Sequence, residues 1–268
     1  MQPTDFAVFH EAALEADEIR HSLLLSIIRH FRNDPQSTGI RTWTLGGPGE
    51  CAMQTLGYPI VLGNLSEAQS RGFAETLQGD DYPGVFGSGE TAPHFARRAR
   101  ELGAEFSEEI PQLVQAVGAA PQVPSVPGFP RQLQPKDFEL FRTWTLAFIR
   151  EAVPSDPVPS GDALKEAFNS RRHWLWILED RPVSIAAITR RTRNAAFING
   201  VYTPPEYRNR GFAAAITAIV AREIFSDGRK AACLYTDLRN PASRRCYAKL
   251  GFRPVCSSWH IIRRPPAA

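Results

Sequence analysis

The run Arg208-Asn209-Arg210-Gly211-Phe212-Ala213 has the residue types of an anion cradle. Val201-Tyr202-Thr203 before it reads as the end of a buried strand, which Pro204 and Pro205 stop. Gly211 lets the backbone come close to a bulky anionic group. The free N–H groups of the helix that follows point at the same spot, and the helix dipole makes it positive. A phosphate is expected there, with Arg208 and Arg210 adding charge. About thirty residues on, a short strand leads into Asn240-Pro241-Ala242-Ser243-Arg244-Arg245-Cys246-Tyr247-Ala248-Lys249-Leu250-Gly251-Phe252. Asn240 would cap this second helix, with Tyr247 on its second turn.

The succession of strand, phosphate loop, helix, strand and Asn-initiated helix resembles the GNAT superfamily of acyl-CoA-dependent N-acetyltransferases. Arg208, Gly211 and Ala213 stand on the signature positions of that family's pyrophosphate motif, and the second run resembles its Asn-x-x-Ser-x-x-x-Tyr segment. The resemblance covers residues 135–262, about half of the chain. It implies acetyl-CoA as co-substrate. The amides from Asn209 to Ala213 would bind its pyrophosphate. The backbone of Val201, Tyr202 and Thr203 would pair with the pantetheine arm as with an added strand. A bulge frees those amides in the family; Gly200 is where one would form, although close packing against a helix would also explain that glycine. An amide of Val201 or Tyr202 would stabilise the oxyanion. Tyr247 matches the family's general acid, which protonates the departing thiolate; anchoring the helix to the sheet is its other reading. Asn240 and Ser243 would touch the coenzyme, or Ser243 would only stabilise its helix.

The attacking amine must lose a proton, and here the residues point less sharply. Asp237 ends the strand that would face the pantetheine gap. It would bind a cationic acceptor, deprotonate it through water, or serve as a turn carboxylate. Glu206 lies on the turn toward the phosphates and is expected to face solvent. Asn199 cannot act as a base. His173 reads as a solvated edge histidine, Tyr235 as a possible wall of the acceptor site. Of Trp174 and Trp176, at least one belongs to the core. Cys246 neighbours Tyr247, but adjacent helical residues point apart, so it reads as packing rather than a nucleophile.

The net charge of +3 conceals an asymmetry. Residues 1–130 hold 8 Lys and Arg against 16 Asp and Glu, a net of −8, and residues 131–268 hold 23 against 12, a net of +11. Two modules are expected, with the basic one suited to an anionic ligand. Attraction between the modules would produce the same split. The basic residues are scattered and match no nucleic-acid module, so nucleic acid is not the expected partner. The four cysteines have no metal spacing and read as reduced thiols of a cytoplasmic protein. The start Met1 to Asp5 carries no basic, apolar leader, and Leu23 to Ile28 is too short to span a bilayer and reads as a buried helix face.

The expected fold is α/β (α+β): a GNAT fold with a mixed central sheet flanked by helices, and a second, smaller GNAT-like N-terminal domain. Residues 1–117 form the N-terminal domain, 118–134 a Pro-rich linker, and 135–268 the catalytic domain. The linker's prolines predict an extended connector without regular structure. In the N-terminal half a helix is expected over Glu11–Phe31, strands at 41–45, 51–56, 60–63 and 84–87, and helices at 67–77 and 90–102. Its counterpart of the phosphate loop, Leu62-Gly63-Asn64-Leu65-Ser66-Glu67, has no Arg-x-x-Gly-x-Ala, so this half reads as a GNAT-like domain without a coenzyme site, or as an unrelated α/β domain. In the other half, helices are expected from Pro135 to Ile149, 161–170, 207–226 and 240–250. Strands are expected at 174–178, 183–189, 195–203 and 231–237, with one or two more over 253–263. The expected function is acetyl transfer from acetyl-CoA to a primary amine, on a small molecule or a peptide, by direct attack in a ternary complex. The alternatives are an acyl-CoA sensor without turnover and an aminoacyl-tRNA-dependent transferase on the same fold. The acceptor and the oligomeric state are left open.

Overall fold

Alternation of apolar and polar residues sets the strands, and 3.6-residue periodicity sets the helices that cover them. The computed structural model describes residues 3–33, 39–154 and 156–264; Met1 and Gln2, read above for a leader, lie outside them. The chain folds as two compact units. The first comprises residues 1–115, 235–241 and 254–268; the second comprises 116–234 and 242–253. No helix among the described residues is long and apolar enough to cross a membrane.

In the first unit, α1 (Pro3–Glu15) and α2 (Ser22–Asn33) precede β1 (Ile40–Thr44), β2 (Cys51–Thr55) and β3 (Ile60–Leu62). The single helix expected over Glu11–Phe31 is broken by a turn at residues 16–21. The Asp17 carboxylate accepts from the backbone N–H of Arg20 and pairs with its guanidinium at 2.8 Å, so the side chain competes with the helix for backbone donors. Next come α3 (Glu67–Thr76), β4 (Gly84–Ser88), α4 (Thr91–Glu101) and β5 (Phe106–Val117). The last strand of the chain, β11 (Arg253–Arg263), returns to this unit and pairs antiparallel with β4 from Ser258↔Ser88 to Ile262↔Gly84. Strands run in the order β1-β2-β3-β4-β11-β5. β3 and β4 are parallel and joined through α3. Phe73, Phe95 and Val85 centre one core cluster and Phe6, Leu24 and Ile28 another.

In the second unit, β6 (Phe129–Gln132) leads to α5 (Phe138–Ala152), α6 (Gly161–Asn169), β7 (His173–Leu178), β8 (Arg181–Arg191), β9 (Ala195–Tyr202), α7 (Phe212–Ser226), β10 (Ala231–Asp237) and α8 (Pro241–Lys249). The last three residues of β10, and residues 238–241 after it, belong with the first unit. The order is β10-β9-β8-β7-β6. Residues 129–132, expected within an unstructured connector, form the strand β6 beside β7. Pro130 is tolerated because β6 ends the order, where a strand makes ladder bonds on one side only. Period-2 alternation on β7 sorts its side chains by face. Trp174 and Trp176 are both buried in the cluster with α7, and Leu175 and Ile177 in the cluster with Phe141 and Trp144 of α5. Two sets of elements thus repeat in one order. β1-β2-β3-α3-β4-α4-β5 is matched by β7-β8-β9-α7-β10-α8-β11.

Candidate active site

The expected helix start at Tyr207 is displaced to Phe212. Asn209 at φ 60° and Gly211 at φ 85° are left-handed, a conformation that cannot continue a right-handed helix. Gly211 is the N-cap of α7 and has no side chain with which to cap this end. The first helical bond is Ala215 N–H to the Gly211 carbonyl at 3.0 Å. The amides of Phe212, Ala213 and Ala214 therefore precede the ladder and point out of an uncapped helix start beside exposed Gly211. Backbone donors, a left-handed turn and the helix dipole converge on one place, which is the chemistry of a phosphate cradle.

The N-terminal counterpart carries a capping box. Ser66 caps α3 by accepting from Gln69 N–H at 3.3 Å, and the Gln69 side chain accepts from Ser66 N–H at 2.9 Å. Gln69 Nε2 also donates to Glu50 at 2.8 Å, and the same Glu50 oxygen accepts from Gly47 N–H at 2.7 Å. The third amide of α3, whose counterpart α7 leaves without a cap, is here satisfied by the chain itself, and the Glu50 carboxylate lies on the Gln69 side chain beside it.

Upstream of the cradle, β9 carries a bulge. Its register with β8 passes from Ala187↔Asn199 to Ile185↔Tyr202, so Gly200 and Val201 stand against Ala186 alone. Gly200 has φ 60°, and a Cβ built there would meet nothing within 4 Å. Backbone conformation, not close packing, explains this glycine. Asn199 Oδ1 accepts from Gly200 N–H at 2.8 Å and holds the bulge. The parallel pairing of β9 with β10 ends at Phe197↔Cys233, so the edge of β9 from Ile198 onward has left that ladder. The Tyr202 carbonyl accepts from Ser184 Oγ at 3.1 Å, and the Thr203 hydroxyl lies 2.8 Å from Ser184 Oγ.

The two arginines of the cradle differ. Arg208 donates from Nε to the Thr203 carbonyl at 2.9 Å and from Nη2 to Glu151 of α5 at 2.6 Å. Its guanidinium lies 5.9 Å from the Tyr202 ring. Arg208 thus ties the turn to the strand end and to α5. Arg210 is exposed, with its guanidinium 5.1 Å from the Phe212 ring. Glu151 was invisible in the sequence, because its partner lies 57 residues away.

Tyr247 is 8% exposed and belongs with Phe212 to the core cluster, its ring 6.0 Å from that of Phe252. Burial pushes its phenol well above the ordinary value, with a smaller push from Cys246. The hydroxyl therefore keeps its proton at neutral pH, as a proton donor must. Burial also pushes the Cys246 thiol up to about 11, which leaves little thiolate for nucleophilic attack. Ser243 is half-buried on the first turn of α8. In the first unit, Asp237 accepts from Arg239 N–H at 2.8 Å and from its guanidinium at 2.9 Å, and Arg239 also holds Glu108 at 2.7 Å. Asn240 is exposed and immediately precedes Pro241, the first residue of α8. Tyr235 lies edge-on to Phe86 with ring centroids 5.7 Å apart. Glu206 is exposed.

His173 is not the solvated edge residue expected. β6 covers its side of β7, and the Leu133 N–H donates to the His173 carbonyl at 3.3 Å. Its ring meets Phe141 edge-on at 4.8 Å. Burial lowers its pKa to about 4, and Arg172 adds to the shift.

Residues 138–252 match the sequence model described as the Acetyltransferase (GNAT) family. No curated protein matches the chain. Among solved structures, a GCN5-related N-acetyltransferase from Kribbella flavida is similar with TM-score 0.64 and 19% identity, over 94% of this chain and 95% of that one. A GNAT-family acetyltransferase from Colwellia psychrerythraea gives TM-score 0.57 at 11% identity, over 88% of each chain. A Drosophila protein gives TM-score 0.72 at 12% identity, over 100% of this chain and 98% of that one. At these identities the structures establish the fold. Two of them share it along nearly the whole chain, N-terminal half included.

Proposed function

We propose that this chain, an acyltransferase whose residues 138–252 form a GNAT acetyltransferase domain, transfers an acetyl group from acetyl-CoA to a primary amine by direct attack in a ternary complex. The observation that carries the reading is the uncapped start of α7 at Gly211, set against the self-capped start of α3 at Ser66. In this reading residues 135–268 are the catalytic half, 118–134 join the halves, and 1–117 are a GNAT-like half without coenzyme.

When bound, coenzyme A supplies the acetyl group as a thioester. The amides from Asn209 to Ala213 hold its diphosphate, with Arg210 adding charge and Arg208 fixing the turn from behind. The β9 edge freed by the Gly200 bulge takes the pantetheine arm through the backbone of Val201, Tyr202 and Thr203. An amide at Val201 or Tyr202 donates to the carbonyl oxygen as it gains charge, an effect worth about 3 kcal/mol. The amine nitrogen forms the new C–N bond as the C–S bond breaks. Tyr247 gives its proton to the leaving sulfur, and Asn240 and Ser243 line the coenzyme. Asp237, held by Arg239, is the carboxylate we assign to binding a cationic acceptor or relaying its proton through water. The acceptor class is a primary amine on a small molecule or a peptide.

Acetyl-CoA is expected to raise the melting temperature, and an amine panel to release free thiol. Absence of a thermal shift at millimolar acetyl-CoA would sink the coenzyme assignment. Binding without thiol release across amines of every class would favour a sensor. Salt-dependent tRNA binding together with no coenzyme binding would favour the aminoacyl-tRNA reading.

A further inference from the structure

The Pro-rich segment before the catalytic half does more than connect. Pro121, Pro124, Pro127 and Pro130 recur every third residue, and so do Val123 and Val126. A three-residue period is that of the polyproline II helix, which lines up every third side chain on one face. Residues 121–126 carry neither helix nor ladder, yet Pro121 is buried and Val123 and Val126 pack against the core cluster that holds Phe212 and Tyr247. The far end of the segment is pinned. Trp176 Nε1 donates to the Pro127 carbonyl at 2.8 Å. Gly128, at φ 107°, fits where a Cβ would stand 2.2 Å from the Ile177 carbonyl oxygen, and β6 then zips onto β7. Between these anchors Val126 reaches the phosphate cradle: a Cβ on Gly211 would lie 2.9 Å from Val126 Cγ1.

We propose that residues 121–128 are a buttress of the coenzyme cradle, in which Trp176 holds the strap and Val126 holds Gly211 in its left-handed conformation. This rests on the coenzyme reading above. Val126 and Trp176 are positioning residues; neither is assigned a contact with coenzyme. A cradle fixed before binding loses no affinity to competing loop conformations, and a loosened one loses the fraction of time spent elsewhere. A stiff proline strap suits this role because it has little conformational freedom of its own.

The test uses the full chain with Trp176→Phe, which keeps a ring in the core but removes the donor, and Val126→Ala, which shortens the contact. Trypsin cutting after Arg208 and Arg210 reads the mobility of the cradle without ligand, and cutting after exposed Arg193 in the β8–β9 turn controls for general loosening. Both variants are expected to be cut at the cradle several times faster than the parent, with Arg193 cutting unchanged. Coenzyme A, measured by calorimetry, is expected to bind roughly three- to tenfold more weakly, with turnover at saturating acetyl-CoA unaltered. Unchanged cradle cutting in folded variants overturns the buttress, as does equal acceleration at Arg193. If the parent chain binds no coenzyme A, the functional proposal falls, while the trypsin comparison still decides the buttress.

Discussion

Replacing Gly211 by alanine puts the cradle geometry to a quantitative test. At φ 85° an L-residue is strained by about 1–2 kcal/mol. The added Cβ would also stand 2.9 Å from Val126 Cγ1, closer than carbon atoms tolerate. Accommodating it by moving the strap costs about 1–2 kcal/mol more, on the scale of a modest overpacking. On the proposed reading the coenzyme-bound state requires the native loop, so the sum, roughly 2–4 kcal/mol, must appear somewhere. If the free protein keeps the loop, the cost appears as lost stability, at roughly 2–4 °C of melting temperature per kcal/mol. If the free loop relaxes, stability is kept and the cost appears in coenzyme affinity, at tenfold per 1.4 kcal/mol. Denaturant unfolding without ligand and calorimetry with coenzyme A measure the two shares separately. The predicted quantity is their total. A total below about 1 kcal/mol would refute both the strain and the need for the loop in binding.

Gly211→Glu adds a carboxylate at the proposed diphosphate site and is expected to abolish coenzyme A binding in calorimetry; retained affinity would show the loop misassigned. Tyr247→Phe keeps the ring in the core and removes the proton donor, so turnover should fall roughly 100-fold or more with coenzyme affinity near that of the parent; an unchanged rate removes Tyr247 from the acid role. Acid should weaken the fold through His21 and His173, whose pKa values burial lowers from 6.5 to about 4. Between those values the unfolded chain binds more protons, so their contribution is full above about 6.5 and is lost as pH falls toward 4, by up to about 3 kcal/mol each. Urea midpoints at pH 7 and 5 should differ, and His173→Phe should narrow the difference; an unaltered gap would contradict the burial argument.

Much of the local geometry on which the site proposal rests is legible in the sequence because it is set by near neighbours. The turn after Pro204 and the helix after Asn240 are stated in residues a few places apart, although α7 starts at Phe212 rather than Tyr207 and only the φ of 60° at Gly200 decides between a bulge and close packing. What stays hidden depends on partners far along the chain. β5 escapes a sequence reading because Glu108, Glu109 and Pro111 break any apolar alternation, and the acidic side chains on it and just before it find arginines distant in sequence: Glu108 pairs with Arg239 and Glu105 with Arg264. No local pattern says that β11 will pair with β4, more than 160 residues earlier. His173 misleads for the same reason. Its ring is covered by Phe141 of α5, 32 residues earlier in the chain.

The two halves also show how little sequence separates a cradle from a closed helix end. Both pass from a strand through a short turn into a helix that leads to a parallel strand, β3-α3-β4 in one and β9-α7-β10 in the other. In the first, Ser66 and Gln69 each satisfy the other's backbone N–H, which stabilises α3 by about 1 kcal/mol and occupies one of the first-turn amides an anion would need. In the second, a left-handed glycine takes the cap position and offers no side chain, so α7 forgoes that stabilisation and keeps its donors open. Helix α7 compensates by burial instead: Phe212, Ile216, Val220 and Ile224 are all at most 2% exposed. A helix held that firmly along its length can leave its first turn unsatisfied. On the coenzyme reading, the apolar face of α7 permits the proposed site at its end, and substitutions deep in that face, such as Ile216→Ala, should weaken coenzyme binding only in step with lost stability. A loss of affinity at unchanged stability would mean that the helix start is held by something other than this packing.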